Sequence, residues 1–379
     1  MSPLRLEVEA EDGAARCGLV RTARGDYPVP AFMPVGTRGA VKALDAADLD
    51  ALGAPVVLAN AFHLLCRPGA ETVAALGGIH RFTGYDGHLL TDSGGFQVHS
   101  LGPAVDDEGV TFASVYDGRP VRLTPESAVE VQGLLGADVQ MVLDVCASLP
   151  ASREELRVAV DRTADWGERA RRRHHGLEAR PEGQAIFGIV QGGCEVDLRA
   201  ESAARAVACE FDGYAVGGLS VGEPRSAMLE TLAATVPHLP PDKPRYLMGV
   251  GDPVGLVEAV ALGIDQFDSV APTRMGRHGS VLTSEGRRNL RNAANATADE
   301  PLDPRCRCTT CARYSRGYLR HLLGVGEPTA WRLLSLHNLS FLLGFVQQIR
   351  DAVAAGTLSS LREQTLEVWG TTERERLGR

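Results

Sequence analysis

Several apolar runs of this chain end abruptly in polar residues of one chemical kind. "HLLTD" (88–92) stops at Asp92, with Ser93 and two glycines behind it; "VQMVLD" (139–144) stops at Asp144; "IDQFDS" (264–269) carries Asp268 at its end. "AIFGIVQ" (185–191) ends in Gln191, "GYAVGG" (213–218) in Gly217 and Gly218, and "RYLMGV" (245–250) in Met248 and Gly249. One aspartate after a strand is commonly a helix N-cap. Three carboxylates, an amide and glycine pairs at equivalent strand ends call for more. A hard-metal site would want further carboxylates or histidines beside them. The mixture suits a flat purine instead: carboxylates accept from N–H edges, the amide and glycine N–H groups donate to a carbonyl oxygen, and an apolar floor stacks on the ring. Two aspartates then remain for chemistry. A nucleophilic carboxylate and an acid/base carboxylate are the tools for opening a glycosidic bond with retention.

A second cluster has a different use. "LDPRCRCTTC" spells C-x-C-x2-C with Cys306, Cys308 and Cys311, three of the eight cysteines within six residues. In a cytosolic chain such crowding reads as metal binding rather than disulfides. Closed tetrahedral zinc needs a fourth ligand, and His321 and His337 are the candidates downstream. His337 lies in the apolar helical stretch "LLSLHNLSF"; His321 shares a helix face with Tyr314 and Tyr318. The expectation is one structural Zn2+ per subunit.

These residues must be positioned by repeating elements. Eight short apolar strands, at 31–35, 55–60, 88–92, 139–144, 185–191, 213–218, 245–250 and 264–269, alternate with amphipathic helical stretches at 154–170, 196–209, 224–236 and 253–262. Continuous apolar strands are those buried on both faces. On the first of those helical stretches Leu156, Val160, Thr163, Trp166 and Ala170 form one stripe. The series predicts an α/β fold, a (β/α)8 TIM barrel whose strand C-termini share one rim, with an open doubly wound sheet as runner-up. "GVGDPVG" (249–255) has the wrong spacing for a dinucleotide-binding turn. Residues 99–123 fit an inserted β-hairpin. The expected organisation is residues 1–300 as the catalytic barrel with N-terminal β elements, and 301–379 as a zinc-binding helical subdomain packed on it.

Bulk composition narrows the class. The chain has 379 residues, 44% of them apolar, and a formal charge of −9. Apolar runs are too short for a membrane span, and the charged start lacks the apolar core of a secretory signal; a cytoplasmic protein is expected. The net charge argues mildly against a polyanion partner, yet ten arginines fall between Arg274 and Arg320. Such a local basic face can bind nucleic acid, although it can equally be solvated surface.

The motifs "TDSGGFQV", "FDGYAVGGLSVGEP", "KPRYLMGVG", "FDSVAPTR", "RNAANATADEPLDPRCRCTTC" and "HNLSF" together closely resemble the tRNA-guanine transglycosylase family, over about residues 15–370 and in its compact bacterial form. The resemblance implies exchange of the guanine at the wobble position, in the anticodon loop of certain tRNAs, for a 7-deazaguanine, within the queuosine pathway. It implies Asp268 as nucleophile and Asp92 as general acid/base. Ser93, Asp144, Gln191, Gly218 and Leu219 would hold the base, with Phe96 and Met248 sandwiching it. The run Gly249, Val250, Gly251, Asp252, Pro253, Val254 and Gly255, and the run Thr273, Arg274, Met275, Gly276 and Arg277, would grip the RNA. Cys306, Cys308, Cys311 and His337 would ligate zinc. A homodimer is implied, with Tyr314, Tyr318 and His321 at the subunit boundary. Extrusion of the target base from its stack fits enzymes that act on bases, and single-stranded loops are where RNA sequence is read.

The chain departs from the bacterial pattern at Val145, Ser220, Gly193, Ser269 and His99. "VQGG" and "GGLS" are shared with eukaryotic enzymes that take queuine. Cys146 and Val221 resemble the bacterial pocket, and Glu223 is kept, so the expected incoming base is 7-aminomethyl-7-deazaguanine, with queuine as the alternative. A non-catalytic tRNA-binding subunit would lack the two aspartates; a free-nucleoside hydrolase would not need the zinc module or the arginine-rich segment.

Overall fold

A computed structural model describes residues 3–95, 104–177 and 180–370. The chain opens with three antiparallel strands, β1 (Leu4–Asp12), β2 (Ala15–Thr22) and β3 (Gly25–Val29). The eight expected strands follow as β4 (Ala31–Gly36), β5 (Val56–Asn60), β6 (His88–Asp92), then, after the insertion, β10 (Val139–Met141), β11 (Ala185–Val190), β12 (Gly213–Val216), β13 (Arg245–Leu247) and β14 (Gln266–Ser269). They close into one parallel barrel in the order β10-β11-β12-β13-β14-β4-β5-β6. The continuous apolar pattern has the physical meaning expected of it: every residue of β5, β6, β11 and β12 is buried, walled outside by helices and inside by the other strands.

The helices cover the outer face through the residues their periodicity selected. In Arg153–His175, the stripe Leu156, Val160, Thr163, Trp166 and Ala170 is buried, and Ser152 closes a reciprocal capping box with Glu155. Asp252 caps Pro253–Ala261 through the Gly255 N–H, with proline at the first turn. The insertion differs from expectation in one respect. It forms three antiparallel strands, β7 (Ala104–Asp106), β8 (Gly109–Ala113) and β9 (Pro120–Leu123), rather than a single hairpin. Val110, Phe112 and Leu123 of β8 and β9 bury one face against Phe62, Leu143 and Trp166, and β7 adds only the partly buried Val105 to the same cluster.

After the barrel, β15 (Ser280–Thr283) and β16 (Gly286–Asn289) pair antiparallel and lead to the cysteine-rich turn. The long helix Pro328–Ala354 has two burial environments. Ala330, Leu333 and Leu334 join a small core with Leu302, Leu319 and Leu323, whereas Leu336, Leu339, Leu342, Phe345, Val346 and Ile349 join the barrel core. Asn338 ties this helix to the end of the barrel, donating to Pro272 O at 2.9 Å and Ser280 O at 3.0 Å while accepting from Leu282 N. Among the described residues no helix is long and apolar enough to cross a membrane.

Candidate active site

Parallel closure brings the strand ends onto one rim. In the β5–β6 register Asn60 lies opposite Asp92. The Asn60 amide donates to Asp92 Oδ2 at 2.9 Å, and its carbonyl oxygen caps the next helix by accepting from His63 N. Asp92 also accepts from the Gly94 N–H at 3.3 Å. Further round the rim, with β4 and β5 between, Asp268 Oδ1 accepts from the Tyr246 hydroxyl at 2.6 Å and from the Gly249 N–H at 2.8 Å. Burial pushes the Asp268 carboxyl above its ordinary range, against the pull of those two donors. The Tyr246 phenol is held far above its usual range by burial, by Asp268 and by Asp92. Both candidates therefore end parallel strands of the same closed barrel and lie on one rim.

Asp144, Gln191, Gly218 and Leu219 meet beside them. Gln191 donates to Asp144 Oδ2 at 2.6 Å, and burial pushes Asp144 up to about 6. Two glycines make this approach possible. A Cβ on Gly95 would run into the Asp144 carboxylate, and one on Gly218 (φ +63°) into the Gln191 carboxamide. Burial and the Asp144 charge push the Cys146 thiol up to about 12, and the Gly218 backbone lies against it. Glu223 accepts from the Ser220 and Val221 N–H groups, with Ser220 in a left-handed conformation (φ +60°). Leu219 is buried and Met248 half-buried at the end of β13. Ser93 is buried, its hydroxyl without a partner among the described residues. Phe96 lies outside the described residues.

The two runs expected at RNA are placed less uniformly. Gly249 is exposed at the rim and bonded to Asp268, but Val250 is buried just before the helix, and Pro253, Val254 and Gly255 are buried in its first turn. Gly251 is pressed against Ser269 and Phe32. Asp252 pairs with Arg225 at 2.9 Å. In the short helix Ala271–Arg277, Thr273 and Gly276 are buried where it crosses the long C-terminal helix, whereas Arg274 is exposed. A cavity of about 590 Å³ opens between these runs, lined by Arg225, Arg274, Met275, His278, Arg287 and Trp369, among others.

Cys306, Cys308, Cys311 and His337 converge, their ligand atoms all within 4.8 Å of one another. His337 Nδ1 faces Cys311 Sγ at 3.2 Å and Cys308 Sγ at 3.6 Å, while Nε2 contacts Leu282 O at 2.7 Å. That outer hydrogen bond selects the tautomer that leaves Nδ1 for a metal. Three thiols and an imidazole with its far nitrogen tied to a carbonyl fit structural zinc, and the site leaves no position for a substrate. His321 takes no part; it lies on helix Arg316–Gly324 beside the stacked rings of Tyr314 and Tyr318.

Sequence patterns passed over three residues that matter here. Asn60 and Tyr246 read as ordinary strand residues, and their roles emerge only from cross-strand neighbours. Arg199 left a signal: a charged residue in line with Ser202, Ala203 and Ala206 on the buried face of its helix.

Comparison with known proteins agrees over nearly the whole chain. The family described as Queuine tRNA-ribosyltransferase matches residues 11–371. Proteins named queuine tRNA-ribosyltransferase from Anoxybacillus flavithermus (46% identical over 374 residues, 98% of each chain), Geobacillus kaustophilus (46% over 373, 97% of each) and Listeria welshimeri (45% over 374, 98% of each) are among its relatives.

Proposed function

The chain belongs to the queuine tRNA-ribosyltransferase family, and on that premise we propose that Asp268 and Asp92 divide the work of its base exchange. The enzyme is a pentosyltransferase that replaces guanine in tRNA with a 7-deazaguanine. In the first half-reaction Asp268 attacks C1′ of the extruded nucleotide, forming a ribosyl ester as the bond to guanine breaks. The electron pair stays on the leaving base, and Asp92 supplies its proton. In the second half the incoming base gives a proton to Asp92, its nitrogen attacks C1′, and the Asp268 carboxylate leaves. Two inversions give net retention. The observation that carries this assignment is geometric: Asp92 and Asp268 end parallel strands of one closed barrel and so lie on the same rim, each held by neutral donors.

Asp144, Gln191, Ser93, Gly218 and Leu219 then read the base edge, with Phe96 and Met248 stacking on the ring. The incoming base we favour is 7-aminomethyl-7-deazaguanine. The buried Cys146 occupies the pocket wall beside Asp144. Gly193 lacks a side chain because its backbone is left-handed (φ +56°). A side-by-side exchange assay with the aminomethyl base and queuine tests this, and preferential incorporation of queuine would overturn it.

The tRNA anticodon loop would bind across residues 249–255 and 273–277 and the arginine-rich segment beyond. Affinity should therefore fall steeply with added salt; a flat response would refute that platform. Zinc held by Cys306, Cys308, Cys311 and His337 supplies structural cross-linking of the turn to the long helix. We further read residues 1–300 and 301–379 as barrel and zinc-binding subdomain of a cytoplasmic homodimer. The stacked Tyr314 and Tyr318, the latter 45% exposed, with His321, would lie at the subunit boundary. Sedimentation as a monomer at micromolar concentration would overturn the dimer.

A further inference from the structure

The helix Val196–Ala208 turns one cation into the protein. Leu198, Ser202, Ala203 and Ala206 are buried, and Arg199 among them has no exposed surface. Among the described residues no carboxylate pairs with it. Its hydrogen bonds go to backbone carbonyls: Nε to Gly193 O at 2.8 Å, Nη1 to Val190 O at 3.0 Å and Gly217 O at 2.7 Å, and Nη2 to Gly218 O at 3.2 Å. Burial pulls the guanidinium down to about 10, so it stays cationic at neutral pH. A buried charge with no carboxylate in contact, and only the Glu223 charge acting from a distance, is costly, and an apolar residue would fill the space more cheaply.

The acceptors indicate what that cost achieves. Val190 precedes Gln191 and Gly193 lies two residues after it, and Gly217 and Gly218 form the turn that faces it. In a trans peptide, C=O and N–H point in opposite directions. The carbonyl of Gly217 shares its peptide with the Gly218 N–H, and that of Gly218 with the Leu219 N–H. A guanidinium gripping both carbonyls from within the wall turns both N–H groups the other way, to the side of the turn opposite Arg199.

We propose that Arg199 is a positioning residue for base recognition, a planar fork that fixes the Gly217–Leu219 turn and the Gln191 strand end so that their donors meet the carbonyl oxygen of the incoming base. The proposal rests on the base-exchange reading above. Lysine cannot replace the fork. Its ammonium is a single point with three donors, whereas the guanidinium spans carbonyls from two strands in one plane.

The test compares exchange of radiolabelled guanine into tRNA by the wild-type enzyme, Arg199→Lys and Arg199→Ala. The expected result for Arg199→Lys is a KM for guanine raised about tenfold or more, the effect of misaligning one strong hydrogen bond, while the KM for tRNA stays within about twofold. Arg199→Ala should lose more, and millimolar guanidinium ion should restore part of its affinity for guanine. A purely structural residue would instead lower the melting temperature and depress kcat without separating the two KM values. Unchanged guanine KM in Arg199→Lys, or equal rises in both KM values, overturns the proposal. If Arg199→Ala does not fold, Arg199→Gln and Arg199→Lys decide by the same comparison. Absence of exchange by the wild-type enzyme would refute the base-exchange reading itself, and is seen before either variant is measured.

Discussion

Two barrel segments carry an aspartate at each end, and the two ends treat it oppositely. Just before β14, Asp265 is buried and clasped by Arg16, Nε to Oδ1 at 2.8 Å and Nη2 to Oδ2 at 2.7 Å, with the Arg245 N–H as a further donor. Just before β10, Asp138 takes Arg24 at 2.8 Å, His80 at 3.1 Å and the Leu89 N–H at 2.8 Å. At the other ends of the same segments, Asp268 is held by a phenol and a backbone N–H, and Asp144 by a carboxamide. Burial acts at both ends. At Asp138 the nearby His80 ring, the Leu89 N–H and Arg24 together outweigh it, and the carboxyl sits below its ordinary range. At Asp144 and Asp268 burial wins, and both are raised. A carboxylate neutralised by an adjacent arginine is a fastener. One surrounded by neutral donors keeps its charge available for a ligand or a bond.

The contrast is sharpest where the effects are largest. Asp268→Asn keeps an acceptor for Tyr246 and Gly249 but removes the nucleophile. Exchange should fall by roughly four orders of magnitude or more, the covalent tRNA adduct should vanish on denaturing gels, and tRNA binding should persist. An undiminished adduct would remove Asp268 from the mechanism. The mirror experiment is Arg16→Met, which leaves Asp265 buried without its cation. Urea unfolding should report a loss of about 3–5 kcal/mol, with kcat per folded molecule unchanged. A large loss of turnover in folded Arg16→Met protein would mean that the two ends are not functionally separate.

How much of this was legible beforehand follows from what each feature depends on. The barrel strands and the cysteine cluster are local patterns: apolar runs such as 185–190, and C-x-C-x2-C. The positions of Asp92, Asp144 and Asp268 at strand ends were legible for the same reason. Their hydrogen-bond partners were not, because Asn60, Tyr246 and Arg199 act on residues 32, 22 and up to 19 positions away. The third strand of the insertion was hidden because β7 has only three residues, two of them exposed, too few to show a period. The residues alone left His321 and His337 open as the fourth ligand; the family resemblance pointed to His337, and packing shows why, since only that imidazole faces the thiols.

The same substitution at the two ends of the β10 segment should have opposite signs. Asp144 titrates near 6 when folded and near 3.9 when unfolded. Between those values the folded state binds the extra proton, so stability falls as pH rises through that window and the penalty is complete above it. Asp144→Asn should therefore stabilise the protein at pH 7 by up to about 3 kcal/mol, while weakening the base-edge contact. Asp138 is depressed, so its contribution is present above the unfolded pKa and disappears as pH falls through the folded one. Asp138→Asn should cost roughly 1–2 kcal/mol at pH 7 and spare activity. Urea titrations of both variants at pH 7 and below 4 check the signs; destabilisation by Asp144→Asn at pH 7 would mean its carboxylate is a fastener after all.

The loss of a single hydrogen bond is the most discriminating test of the catalytic end. Tyr246→Phe removes one hydrogen bond to Asp268 and leaves the Gly249 N–H in place. A hydrogen bond to a carboxylate contributes about 1.5–3 kcal/mol, so the folded pKa of Asp268 should rise further when the phenol is lost. The acidic limb of kcat against pH should then move upward, and turnover at neutral pH should drop by roughly ten- to a hundredfold. If Tyr246 only fills space, Phe fills it as well and the limb stays where it is. A shifted limb with an unchanged melting temperature would show that neutral donors at this end tune the nucleophile without fastening the fold.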